Sequence, residues 1–106
     1  MADFNNFNEE MKKLLQAAET GMEKAVIKFE ADTKLLTHVD TGTLRRSWTH
    51  KTTAHNNGNI AGAVGSNVEY AAYEDSYHPN ISQALEDNLD SYMLTISNEI
   101  QKQIGG

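Results

Sequence analysis

The chain has 106 residues and a formal net charge of −6, which sizes it for one domain with a modest core and argues against a surface that gathers phosphates by bulk charge. The absence of cysteine excludes disulfides, thiolate nucleophiles and Cys-ligated zinc, leaving four histidines as the only soft metal ligands. No apolar run approaches the roughly 18 residues of a membrane span, and "MADFNNFNEE" lacks the basic-then-apolar layout of a signal peptide, so the expectation is a chain made in the cytosol with no membrane partner.

From about Asn5 to Leu36 the apolar residues Phe4, Phe7, Met11, Leu14, Ala18, Met22, Ala25, Phe29 and Leu36 recur mostly at spacings of three and four. This predicts a long amphipathic helix, with Asn6 and Glu9 as its capping pair and Gly21 as the point of a bend. Such a helix exceeds the usual globular length, so part of its apolar stripe should extend past its own domain to meet another subunit.

Next comes "HVDTGTLRRSW". Asp40 or Thr41 is placed to cap a helix of one or two turns in which Gly42 allows close approach, Leu44 plugs the core, and Arg45 and Arg46 reach outward. The period then becomes two. "SWTHKTTAH" puts Trp48, His50, Thr52 and Ala54 on one face, and "NIAGAVGS" does the same for Ile60, Gly62 and Val64. Asn57-Gly58 between them supplies the positive φ angles of a tight hairpin turn. A lone hairpin is marginal in water, so it must pack on the helices, extend by a further strand, or pair edge to edge with a neighbouring copy.

Ser66 three residues before Glu69 has capping-box spacing and predicts a short helix over 67–74. Ile81, Leu85, Leu89, Tyr92, Ile96, Ile100 and Ile104 predict a second long helix over 80–103, opened by Asn80 with Gln83 after Pro79 and closed by Gly105 and Gly106. The expected class is therefore α+β: long helix, short helix, hairpin, short helix, long helix. One domain is divided into an N-terminal helix (1–37), a motif-bearing hairpin core (38–78) and a C-terminal helix (79–106).

Catalytic readings of the centre fail on pattern. Asp40, Thr41, Ser47, His38 and His50 include the residue types of a hydrolytic triad without a GxSxG elbow, and Asp40-Thr41-Gly42-Thr43 lacks the GxxxxGK of a phosphate loop. His50 and His55 differ by five along a strand and face opposite ways, while His38 and His78 meet only if the fold brings them together. Glu69, Glu74, Asp75, Glu86, Asp87 and Asp90 form no DxDxDG loop and read as a solvated acidic face. Tyr70, Tyr73, Tyr77 and Tyr92 lack the interleaved cations of single-strand binders and suit a protein interface instead. No cofactor, metal site or catalytic residue is expected. The alternative is a small nucleic-acid-binding regulator using Arg45, Arg46, Lys51 and the tyrosines, which the overall acidity opposes.

Two segments carry a resemblance. A DTG-x-L-x-x-S stretch (Asp40, Thr41, Gly42, Leu44, Ser47) and a VG-x-x-V-x-Y-A stretch (Val64, Gly65, Val68, Tyr70, Ala71) follow one another within residues 38–86. In this the chain resembles the neck, or head-tail connector, family of long-tailed bacteriophages, also described as minor capsid or tail-component proteins. It departs from the family after the second motif, where it reads "YEDSY" and then "HPNISQAL". The resemblance implies a structural virion protein without catalytic residues, set as a ring of identical copies at the head-tail junction after assembly in the host cytoplasm. It would touch head-completion and tail proteins while DNA passes through the channel without specific binding. For such a ring, Arg45, Arg46, Trp48, Glu69, Tyr73 and Glu74 are the candidate interface residues, with the arginines pairing to Glu69, Glu74 or Asp75 of the next copy.

Overall fold

The spine of the molecule is helix α1, Phe4–Leu36. Free of proline and patterned at helical spacing throughout, it runs for 33 residues, about 50 Å at 1.5 Å per residue. The structure, a computed structural model, describes residues 4–38, 42–55 and 58–105, with side chains described for 8–38, 42–55 and 58–104. The helix begins at Phe4, so Asn6 lies inside its first turns and not at its cap. At its other end Thr33 Oγ1 donates to the Phe29 carbonyl (2.8 Å) and Thr37 Oγ1 to the Thr33 carbonyl (2.7 Å). These bonds satisfy two buried hydroxyls within the backbone of the last turns.

Helix α4, Ile81–Gly105, lies antiparallel along α1. The antiparallel sense shows in the pairs: Gly21 meets Ile96, Lys28 Nζ donates to Thr95 Oγ1 (2.9 Å), and Tyr92 OH donates to Asp32 Oδ2 (2.6 Å). Gly21 permits this approach, because a Cβ there would lie 2.8 Å from Ile96 Cα and 3.1 Å from its carbonyl oxygen. It is a contact point between helices, and α1 continues as helix through it.

The hairpin packs on another side of α1. Strands β1 (Thr49–Ala54) and β2 (Ile60–Gly65) pair antiparallel, with His50 opposite Val64, Thr52 opposite Gly62 and Ala54 opposite Ile60. The turn closes through His55 N–H donating to the Asn59 carbonyl (2.9 Å) and Gly58 N–H to the His55 carbonyl (3.0 Å). Gly58 holds φ +89°, as the predicted turn requires; Asn57 lies outside the described residues. The hairpin leans closely on the spine, since a Cβ on Gly62 would overlap Val26 Cγ1 and Met22 Sδ. Of the three solutions open to a marginal hairpin, packing on a helix is the one the described residues contain, and the sheet has two strands.

The short helices mark the remaining corners. Helix α2, Gly42–Ser47, drops Leu44 into the core with no exposed surface. Its proposed caps, Asp40 and Thr41, lie outside the described residues. Helix α3 spans Ala71–Tyr77, four residues later than the predicted 67–74. The capping box fails because Ser66 is engaged elsewhere: its Oγ shares a hydrogen bond with Ser47 Oγ and accepts the Val68 N–H (3.1 Å). A turn from Val68 to Ala71 then precedes the helix (3.1 Å).

The start of α4 departs from expectation in the same way. Asn80 caps it, with Oδ1 accepting the Ile81 N–H (2.6 Å), but Gln83 bonds forward to Asp87 (2.6 Å). Asp75 of α3 replaces it, accepting from the N–H of Asn80 (2.7 Å) and from the N–H and hydroxyl of Ser82 (3.2 and 3.0 Å). The finished molecule is 61 × 23 × 17 Å with a radius of gyration of 17.1 Å, against about 13 Å for a compact chain of this length.

Candidate functional site: a corner, an arm and uncovered faces

The two sequence motifs meet in space. Ser47 ends the first, and its hydroxyl donates to the Leu44 carbonyl (2.6 Å) while bonding Ser66, the residue after Gly65 of the second. Trp48 lies beside this corner, its Nε1–H donating to Thr37 Oγ1 (2.9 Å). Leu44 and Trp48 are buried there, whereas Val64 and Val68 are half-buried. Trp48 is therefore an internal anchor, and its expected place among the interface residues is corrected: a 3 % exposed side chain has little to offer a partner. Gly42 is closely approached by the Arg46 guanidinium, whereas a Cβ on Gly65 would meet nothing within 4 Å.

The remaining candidates are available. Arg46 is exposed and Arg45 half-buried, and among the described residues neither has a carboxylate within ion-pair distance. The same holds for Glu69, exposed, and Glu74, half-buried, which have no cation. Asp75 differs, because its carboxylate serves α4: burial alone would raise its pKa, but the bonds from Asn80 and Ser82 outweigh this and hold it below the usual range. It is thus withdrawn from the expected cross-subunit pairs.

Helix α3 behaves as an arm. It buries none of its residues and presents Tyr73 and Tyr77, 66 % and 67 % exposed, with ring centroids 4.9 Å apart; Tyr70 at its foot is 43 % exposed. The hydrogen bond with the Tyr77 hydroxyl, some desolvation and the neighbouring Glu74 charge raise the Tyr73 pKa. His78 at the end of the arm stacks on His38 after α1, with ring centroids 3.8 Å apart. The fold thus brings together the histidines whose meeting the sequence left open.

Other features were not foreseen. His50, on the inner face of β1, sits between two carboxylates of α1, with Nε2 3.5 Å from Glu23 Oε1 and Nδ1 3.3 Å from Glu30 Oε1; Thr52 Oγ1 also donates to Glu23 (2.9 Å). In this latch Thr52 makes the hydrogen bond from hairpin to spine, while His50 lies against both carboxylates and its buried Nδ1 has no hydrogen-bond partner among the described residues; the signal in the sequence was the pair of acidic residues seven apart on one face of α1. Between β2 and α4, an open groove of about 280 Å³ has Met22, Val26 and Phe29 as its floor and Leu85, Leu89 and Met93 as its far wall. The tip of the long helix carries Met11 exposed, and Leu35 near its other end is 72 % exposed. Among the described residues there is no cluster of three or more metal-ligating side chains, and no helix is long and apolar enough to cross a membrane.

A helical spine with a hairpin on one side, an antiparallel helix on another and a corner built from two motifs defines a small α+β domain. The family described as "Bacteriophage HK97-gp10, putative tail-component" matches residues 2–74, and the chain belongs to this HK97-gp10-like family. The match covers α1, the corner, the hairpin and the start of the arm. No curated protein and no solved structure matches the chain. Membership makes this a phage tail-component protein and associates it with the virion.

Proposed function

We propose that the protein is a non-enzymatic, ring-forming subunit at the joint between the phage head and tail, where identical copies contact head-completion and tail proteins around the DNA channel. The observation that carries this reading is surface. A compact monomer of 11.8 kDa exposes about 5,900 Å². This chain exposes 7348 Å². The excess, about 1,400 Å², is close to what a ring subunit covers through two contacts of standard size at about 800 Å² per partner.

The distribution of that surface supports a heterologous contact. Arg45 and Arg46 on α2, and Glu69 beside and Glu74 on the arm, all without ion-pair partners among the described residues, are complementary sets on different elements, and such sets join copies head to tail. In this reading the arginines meet those carboxylates across the boundary. DNA passes without specific binding, in keeping with the net charge of −6. Co-sedimentation with tails, or with DNA-filled heads lacking their neck, tests the location: binding to either particle is expected, and failure to bind both would remove the joint from the proposal. Arg45→Glu should weaken assembly, and unchanged assembly would rule out its part in the boundary.

A further inference from the structure

The groove between β2 and α4 is an uncovered apolar seat, and we infer that its occupant is the outer face of the hairpin of an adjoining copy. Leu85, Leu89 and Met93 step by four along α4 and are 42 %, 48 % and 58 % exposed. Each sits over a floor belonging to α1, so the wall is apolar on both sides of the gap. One helical step toward solvent stand Glu86 and Asp90, exposed and, among the described residues, without a cation in ion-pair reach. The seat is therefore apolar with an acidic rim.

Charge chooses between the surfaces the chain has to offer. The tyrosine arm is apolar enough to enter, but it brings Glu69 and Glu74 toward Glu86 and Asp90, an unfavourable meeting of like charges. The outer face of the hairpin, formed by Thr49, Lys51, Thr53, Ala61, Ala63 and Gly65, has the opposite character. Its side chains are small apart from Lys51, so a sheet face can approach the leucine wall closely. Lys51 is its one charge, is exposed, and has no carboxylate in ion-pair reach among the described residues. Seated in the groove, it meets Glu86 or Asp90.

The contact joins two different patches and repeats from copy to copy, as ring closure requires. The inference rests on the ring reading, while naming which faces make the ring.

The absence of cysteine allows a direct test. Thr53→Cys and Met93→Cys are prepared as separate full-length variants, mixed at high concentration, and joined with a short thiol-specific cross-linker, with mass measured in parallel by light scattering. The expected result is a heterodimer band in the mixture that neither variant gives alone. Leu89→Asp should raise the concentration for half-assembly about tenfold or more, the change that 1.4 kcal/mol produces. Lys51→Glu should weaken assembly, and adding Asp90→Lys to it should restore it. Thermal unfolding of each variant confirms that the fold is kept. A ring-sized mass without the cross-link, or assembly indifferent to Leu89→Asp, would overturn this seat and leave the ring standing. A monomeric mass with no cross-link at any concentration, both alone and with neckless heads or purified tails, would remove both.

Discussion

Trp48 Nε1–H donates to Thr37 Oγ1 at 2.9 Å, and the same hydroxyl donates to the Thr33 carbonyl at 2.7 Å, so one threonine ties the indole to the end of α1. Both side chains are buried, and the relay gives the indole N–H its acceptor. Thr37→Val keeps the shape and removes that acceptor. The expected loss is about 1–3 kcal/mol, the usual cost of an unsatisfied buried polar group. Denaturant unfolding followed by the fluorescence of the single tryptophan measures it, and a midpoint unchanged from wild type would contradict the relay.

Gly21→Ala opposes two effects. Alanine favours helix by up to about 1 kcal/mol over glycine. Here its Cβ would press on the Ile96 backbone at 2.8 Å, and forcing an extra carbon into a packed contact costs about 1–3 kcal/mol. Net destabilisation is expected because backbone cannot swing aside as a side-chain tip can. A thermal midpoint raised by the substitution would show that α1 and α4 are not in close contact there.

Asp75 gives a pH-dependent signature. Its folded pKa is depressed, so its contribution is fully present above the unfolded value, about 3.9, and is lost as pH falls through the folded value. Asp75→Asn should therefore be less stable than wild type at pH 7, by about 1 kcal/mol if the residue acts as an ordinary cap. The gap should narrow below pH ~4 as the wild-type carboxylate is protonated. Midpoints measured from pH 7 down to pH 3 follow it; a constant gap would show that the charge on Asp75 contributes nothing.

His50→Ala tests the latch between hairpin and spine. Removing the imidazole leaves Glu23 and Glu30 of α1 without their shared partner, although Thr52 still reaches Glu23 and Lys34 lies 3.8 Å from Glu30. Hydrogen exchange of β1 and β2 amides should quicken relative to those of α4, because opening of the hairpin is local. Equal acceleration in both elements would mean that the latch stabilises the whole fold and does not act on the hairpin alone.

The elements were legible in the sequence because their periods are clean. Helical spacing marked α1 and α4, alternation marked both strands, and Gly58 marked the turn between them. What escaped was every choice made by a distant partner. Ser66 has the spacing of a cap, but the fold gives it Ser47 to bond, and α3 starts four residues late. Gln83 is set for a capping box, but Asp75 arrives from another helix to take the role. Trp48 resembles an interface anchor until Thr37 and the corner enclose it. The groove on α4 was hidden for a related reason: Leu85 and Leu89 belong to the predicted buried stripe, and only the placement of the hairpin shows that nothing in the described chain covers them.

In the ring, the excess surface of each subunit is covered by copies of itself. Mass by light scattering, measured over a wide range of concentration with and without neckless heads or purified tails, tests it most directly. A discrete species of several chain masses, forming alone or on either particle, is the expected result and gives the copy number. A chain that keeps its 11.8 kDa monomer mass at every concentration and ignores both particles would contradict the ring.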